Sequence, residues 1–171
     1  MTDRTEPTSQ LSPTAASYEG TERIDPARLR AWTDFLEAHS RLMRLLERDL
    51  KASHGLTLSE YDVLHRLEEA GDKPVRMSAL AQALLYTTGG LTRLIDRMQD
   101  RGLIDRSTSP ADRRVVHVVL TSHGLETLRQ AAGTHLRGLQ RYFGQHLPEG
   151  ELHAVGTFMQ RLVRTGDGGS L

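Results

Sequence analysis

The chain has 171 residues, and its 22 Lys and Arg are balanced by 22 Asp and Glu, so the formal net charge is zero. With 37% hydrophobic and 26% charged residues it has the composition of a globular domain with tails, not of a disordered chain. The absence of cysteine excludes disulfide scaffolds, thiolate zinc fingers, iron–sulfur clusters and cysteine nucleophiles. No apolar run approaches the ~20 residues of a membrane-spanning helix and the N-terminus lacks a signal peptide's apolar centre, so a cytoplasmic protein is expected.

Residues 1–24 are rich in Thr, Ser and Pro without periodicity, and through Asp25 they carry five acidic and two basic residues. This predicts a flexible acidic tail. From there Leu29, Trp32, Phe35, Leu36, His39, Leu42, Met43, Leu46 and Leu50 recur at helical spacing and predict one long amphipathic helix over 26–53. Pro26 sits where a missing N–H does no harm. Gly55 ends that helix, and Thr57-Leu58-Ser59-Glu60 is a capping box opening a second, with Tyr61, Leu64 and Leu67 on one face until Gly71. Ser78 is expected to cap a short third helix, with Leu80, Ala81 and Leu84 inward. A turn over 85–87 leads into a fourth, which holds Leu91, Leu94, Ile95 and Met98 inward and stops at Gly102. Two helices joined by one short turn have helix-turn-helix spacing, which leaves the outer face of the second free.

Beyond Gly102 the helical pattern breaks. The β-branched run Val115-Val116-His117-Val118-Val119, set against Leu103-Ile104-Asp105-Arg106 across the polar, Pro110-containing stretch 107–112, predicts a two-stranded hairpin. A hairpin directly after a helix-turn-helix is a wing. Thr121 then caps a long helix through Phe143, Pro148 interrupts it, and a last helix over 149–163 places Leu152, Val155, Phe158, Met159 and Leu162 on one side. Residues 165–171 read as a flexible tail. The expected fold is mostly α with a small β-hairpin wing, a winged helix-turn-helix over 56–120 between an N-terminal helix at 25–54 and C-terminal helices at 121–164. The apolar faces of those terminal helices call for a partner, expected to be a second copy in a homodimer.

On the fourth helix the outward positions are Thr88, Gly89, Thr92, Arg93, Asp96 and Arg97, and two arginines one turn apart suit guanine edges and phosphates. From Thr87 to His117 six arginines face four aspartates, a local excess of two positive charges. The plainer reading is a solvated face in which Arg93 and Arg97 pair with Asp96 and Asp100. The wing favours the first reading, because Asp112-Arg113-Arg114 puts two guanidiniums beside a turn, in reach of a flanking groove or backbone. None of the eight histidines forms an H-x-x-x-H pair, so no metal is expected. With no nucleophile elbow, Walker loop or dinucleotide fingerprint, neither an enzyme nor a cofactor is expected.

In this order, LTLSEYDVLHRLEEAG, MSALAQALLYTTGGLTRLIDRMQDRGLI, DRRVVHVVLT and TSHGLETL resemble the MarR family of winged-helix transcription regulators, over roughly residues 29–162. The resemblance implies a dimer through the first and last helices that binds a pseudo-palindromic operator, acting as a repressor. It implies that the recognition helix falls on 88–101, with Thr87, Thr88, Gly89, Thr92, Arg93 and Arg97 at the DNA. Asp112 is then expected to brace Arg114 in the wing while Arg113 enters a groove. Gly89-Gly90 departs from the polar side chain many members carry there, so a backbone N–H contact to phosphate is expected at that turn. The resemblance also implies release by a small aromatic or phenolic anion. For such a ligand Trp32 and His39 on the first helix, and Tyr61 and His65 on the second, offer rings and imidazoles; the alternative is that all four simply pack. Other readings are a ligand-independent regulator and a winged helix that docks a partner protein.

Overall fold

A computed structural model of the chain describes residues 24–71, 73–108 and 115–167. The tail over 1–23 and the wing tip over 109–114 lie outside the described residues. The chain divides into two units, Met1–Leu36 and Glu37–Leu171, with the boundary inside the first helix, α1 (Pro26–His54). In the first unit the Asp25 carboxylate accepts the Ala27 N–H at 2.7 Å, satisfying one of the open donors at the helix start. Trp32 and Phe35 stack with ring centroids 6.0 Å apart.

The second unit gathers its core between its helices and a small antiparallel sheet. Helix α2 (Leu58–Glu69) begins with both halves of the capping box in place: the Thr57 hydroxyl accepts the Glu60 N–H at 3.1 Å, and Glu60 accepts the Thr57 N–H at 2.9 Å. Strand β1 (Val75–Arg76) runs directly into helix α3 (Met77–Ala83), and a tight turn joins α3 to α4 (Thr88–Asp100). Strands β2 (Ile104–Thr108) and β3 (Val116–Leu120) pair antiparallel, with Ile104 opposite Leu120 and Arg106 opposite Val118. Helix α5 (Ser122–Tyr142) is followed by a 3-10 turn (Gly144–His146) and α6 (Glu149–Asp167). Leu50, Leu56, Leu64, Leu80, Leu91, Ile95, Met98, Ile104 and Val118 are all fully buried, so α1 to α4 and the sheet share one apolar core.

Three expectations need correction. The sheet has three strands in the order β1-β3-β2, not two, because Val75 and Arg76 pair with Val118 and His117 along the outer edge of β3. A two-residue strand is too short to show alternation and is defined by its partner. Ser78 does not cap α3: the helix starts at Met77, Arg76 is its N-cap without a side-chain bond, and the strand pairing just before it sets the chain's entry. Helix α6 continues to Asp167, through Thr165 and Gly166, which sequence reads as the start of a tail.

Two glycines answer specific demands. Gly102 adopts φ +67° just after α4, where its N–H bonds the Gln99 carbonyl at 2.8 Å and the chain reverses into β2. Gly124 lets α5 cross the Leu103 backbone so closely that a Cβ would lie 1.9 Å from the Leu103 carbonyl oxygen. Among the described residues no helix is long and apolar enough to cross a membrane.

Candidate nucleic-acid interface and a cavity on the second helix

Helix α4 is built to bury one face and offer the other. Leu91, Leu94, Ile95 and Met98 are buried to 3% exposure or less, while Gly89, Thr92, Arg93, Asp96 and Arg97 are exposed. Thr88 is its first residue. The Thr87 hydroxyl caps the helix by accepting the Gly90 N–H at 3.2 Å. A Cβ on Gly90 would lie 3.1 Å from that hydroxyl, whereas one on Gly89 would meet nothing within 4 Å. The double glycine therefore leaves the capped turn unobstructed and the Gly89 backbone open to an approaching anion. Before the helix, the turn is held by Tyr86, whose N–H bonds the Ala81 carbonyl at 2.9 Å and whose hydroxyl bonds Ser59. Leu85 in this turn has φ +55°, a left-handed conformation that leucine rarely adopts, and it is 94% exposed.

The arginines that sequence counts together divide into separate roles. Arg97 donates to the Arg93 carbonyl at 3.2 Å, so its guanidinium lies back along the exposed face of α4. Arg101 donates to Glu60 at 3.0 Å and to the Gly55 carbonyl at 3.2 Å, tying the end of α4 to the start of α2. Glu60 is only 4% exposed, so its charge is held by this pair and by its cap. Arg106 reaches from β2 to Asp96 at 2.5 Å and to the Thr92 carbonyl at 3.4 Å. Asp96 thus pairs across the fold, with the sheet, and not with the arginines of its own helix as the solvated-face reading expects. Asp112, Arg113 and Arg114, the expected wing contacts, lie outside the described residues.

A cavity of about 530 Å³ opens between α2, the end of α3 with its turn, and α5. Tyr61, His65, Leu84, Leu85, His135 and Leu139 are among its lining residues. The Tyr61 and His135 rings lie 4.4 Å apart between centroids, and His65 follows at 6.2 Å from Tyr61. Burial pushes the Tyr61 phenol up from its ordinary range, reinforced by the nearby Asp62 charge. Burial likewise pushes the His135 imidazole down, and His65 adds to the shift. The Nδ1 of His135 is buried and has no hydrogen-bond partner, and the charged residues Asp62, Arg66 and Glu69 also line the cavity.

The structure brings the expected Tyr61 and His65 together here. His39 is exposed on α1 and is not among the lining residues, and Trp32 belongs to the first unit, where it is 54% exposed. His135 is not among the residues that the sequence singles out; the signal was a lone imidazole at a helical core spacing. Among the described residues no group of His, Asp and Glu is placed to hold a metal ion.

Comparison with known proteins agrees with this architecture. A family model described as MarR family matches residues 54–115, from the end of α1 to the start of β3. The chain is 32% identical to AbsC, a MarR family transcriptional regulator from Streptomyces coelicolor, and superposes on its crystal structure with a TM-score of 0.79 over 86% of this chain and 99% of that one. This chain belongs to the MarR family. A second regulator of the family from the same organism, crystallised in complex with DNA, is 26% identical, with a TM-score of 0.79 over 86% of this chain and 96% of that one. The HTH-type transcriptional regulator MhqR of Bacillus subtilis is 32% identical over 82 residues, 48% of this chain and 55% of its own length. The chain spans about half the length of the first curated relatives it matches. These relatives are named as transcriptional regulators, not as enzymes.

Proposed function

We propose that this MarR family protein is a cytoplasmic, homodimeric transcriptional repressor that binds a pseudo-palindromic operator and releases it when a small aromatic or phenolic anion enters the α2–α5 cavity. The observation that carries the DNA-binding reading is α4. Its apolar face is sealed in the core while Gly89, Thr92, Arg93 and Arg97 line the other side, with the capped first turn open at Gly89. A helix presented this way enters a major groove with its N-terminal half toward base edges, and arginines at this spacing suit guanines and phosphates. Thr87 and Thr88 would lie at the leading end, and Arg113 and Arg114, the latter braced by Asp112, would meet the flanking backbone or minor groove. Two copies related by a two-fold axis would read half-sites roughly 34–36 Å apart.

The dimer is supported by apolar side chains left in the open. Leu136, Phe143, Leu152, Phe158, Leu162 and Val163 on and around α5 and α6 are each at least 45% exposed, more than a monomer's surface ordinarily leaves uncovered. Light scattering is expected to give twice the 19.1 kDa of one chain. The effector reading is supported by the Tyr61 ring, the two imidazoles and the unpartnered Nδ1 of His135, which suit a flat ligand with one polar edge.

Fluorescence anisotropy with duplex DNA from the upstream intergenic region, against a scrambled duplex across a salt series, tests the function. Specific binding that weakens linearly with log salt is expected, and Arg97→Ala should weaken it by about 1–3 kcal/mol with the dimer intact. Equal, weak binding to both duplexes would refute sequence-specific regulation through this site. A regulator that no aromatic acid or phenol releases from DNA would be ligand-independent.

A further inference from the structure

Arg106 occupies a place that its charge alone does not explain. It sits in β2, two residues beyond the fully buried Ile104 and on the same side of the strand, and its backbone is fixed by pairing opposite the fully buried Val118. That alternation turns its side chain toward α4. There the guanidinium meets the Asp96 carboxylate at 2.5 Å and the Thr92 carbonyl at 3.4 Å, and its Nε is buried. Both bonds are made by one guanidinium nitrogen, Nη2, and with only 26% of the side chain exposed Arg106 faces into the protein. Asp96, by contrast, keeps half of its side chain at the surface, one turn after Thr92 and Arg93 and beside Arg97.

Without Arg106, the exposed charges of α4 cancel, since Arg93 and Arg97 are matched by Asp96 and Asp100. A carboxylate in the middle of a face that approaches a polyanion repels it, and the repulsion grows as water leaves the interface. With Arg106 held against Asp96 the face keeps a net positive charge. The same contact joins the wing strand to the middle of the helix, so the two DNA-facing elements are held in one arrangement.

We propose that Arg106 is a positioning residue for DNA recognition: it neutralises Asp96 on the recognition face and locks the wing strand to α4, without itself contacting the nucleic acid. The inference rests on the DNA-binding reading above. It predicts that affinity follows the charge left at the pair and not the presence of the arginine.

The test is a four-way comparison of the full chain, Arg106→Ala, Asp96→Ala and the double variant, by anisotropy with the upstream duplex across a salt series and by thermal unfolding without DNA. Arg106→Ala is expected to weaken binding about five- to tenfold, because it leaves Asp96 uncompensated on the DNA side. Asp96→Ala should bind as well as wild type or better, with steeper salt dependence, and the double variant should recover to within about twofold of wild type. If the double variant stays as weak as Arg106→Ala, the arginine contacts DNA directly and the proposal is wrong. If both single variants lose affinity and unfold at equally reduced temperatures, the pair is only a brace for the fold, and the charge argument is wrong. Should Arg106→Ala fail to fold, Arg106→Gln keeps a donor for Asp96 and the Thr92 carbonyl without the charge and is expected to show the same loss and the same rescue. A wild-type chain that binds no duplex would overturn the proposed function itself, an outcome visible before any variant is compared.

Discussion

Replacing Gly124 by alanine puts two opposed effects at one atom. In an unobstructed helix the change stabilises by about 1 kcal/mol, because alanine loses less backbone entropy than glycine on folding. At Gly124, however, the added Cβ would lie 1.9 Å from the Leu103 carbonyl oxygen, 2.9 Å from its carbon and 3.0 Å from a methyl of Leu120. The oxygen cannot yield cheaply. It accepts from the Thr121 N–H at 3.3 Å and shares the Thr121 hydroxyl proton, at 3.0 Å, with the Gly102 carbonyl at 2.8 Å, and it lies between the Gly102 turn and β2. Moving α5 away by more than about 1 Å would weaken both bonds, at about 1 kcal/mol each, and add an overpacking cost of about 1–3 kcal/mol. The net expectation is a loss of about 3 kcal/mol, or roughly 10 °C in the unfolding midpoint of a protein of this size. Urea and thermal denaturation followed by circular dichroism measure it, with Gly89→Ala as the reference, since a Cβ there meets nothing within 4 Å and about 0.5–1 kcal/mol of stabilisation is expected. If Gly124→Ala were as stable as wild type, the close crossing of α5 over Leu103 would not be a constraint on the fold.

Glu60→Ala removes both the return half of the capping box and the partner of Arg101; a loss of about 2 kcal/mol is expected in urea unfolding, discounted because Arg101 is 40% exposed. His135 is held below its ordinary value of 6.5, so the unfolded chain takes up its proton first, and the stability it contributes is complete above pH 6.5 and lost as the pH falls toward the folded value. The urea midpoint of wild type should therefore drop more between about pH 7.5 and 5.5 than that of His135→Asn, and equal slopes would refute a buried neutral imidazole. The Tyr142 hydroxyl donates to Asp49 at 2.7 Å and is the main cause holding that carboxyl below the usual carboxylate range, a contribution present at neutral pH and lost as the pH falls through the folded value. Tyr142→Phe should be less stable than wild type at about pH 7, with the difference shrinking toward about pH 3.

Features carried by short stretches of chain were legible in the sequence. The Thr57–Glu60 box, the buried stripe of α4, the Thr121 cap and the Gly102 stop each depend on residues within a turn or two, so local chemistry suffices to read them. The features that escaped join residues far apart in sequence. Arg101 and Glu60 are 41 positions apart, and β1 exists because β3 offers it an edge. The His135 imidazole gains its meaning from Tyr61 on another helix. The consequence is largest for the charges. Counting along the chain gives an arginine excess around α4 and the wing, yet the fold commits Arg101 to a buried carboxylate and Arg106 to Asp96, which leaves Arg93 and Arg97 as the described arginines on the exposed face of α4. On the proposed DNA-binding reading, that face keeps its positive charge not through the number of its arginines but through the cancellation of its central carboxylate by a strand residue 10 positions further on.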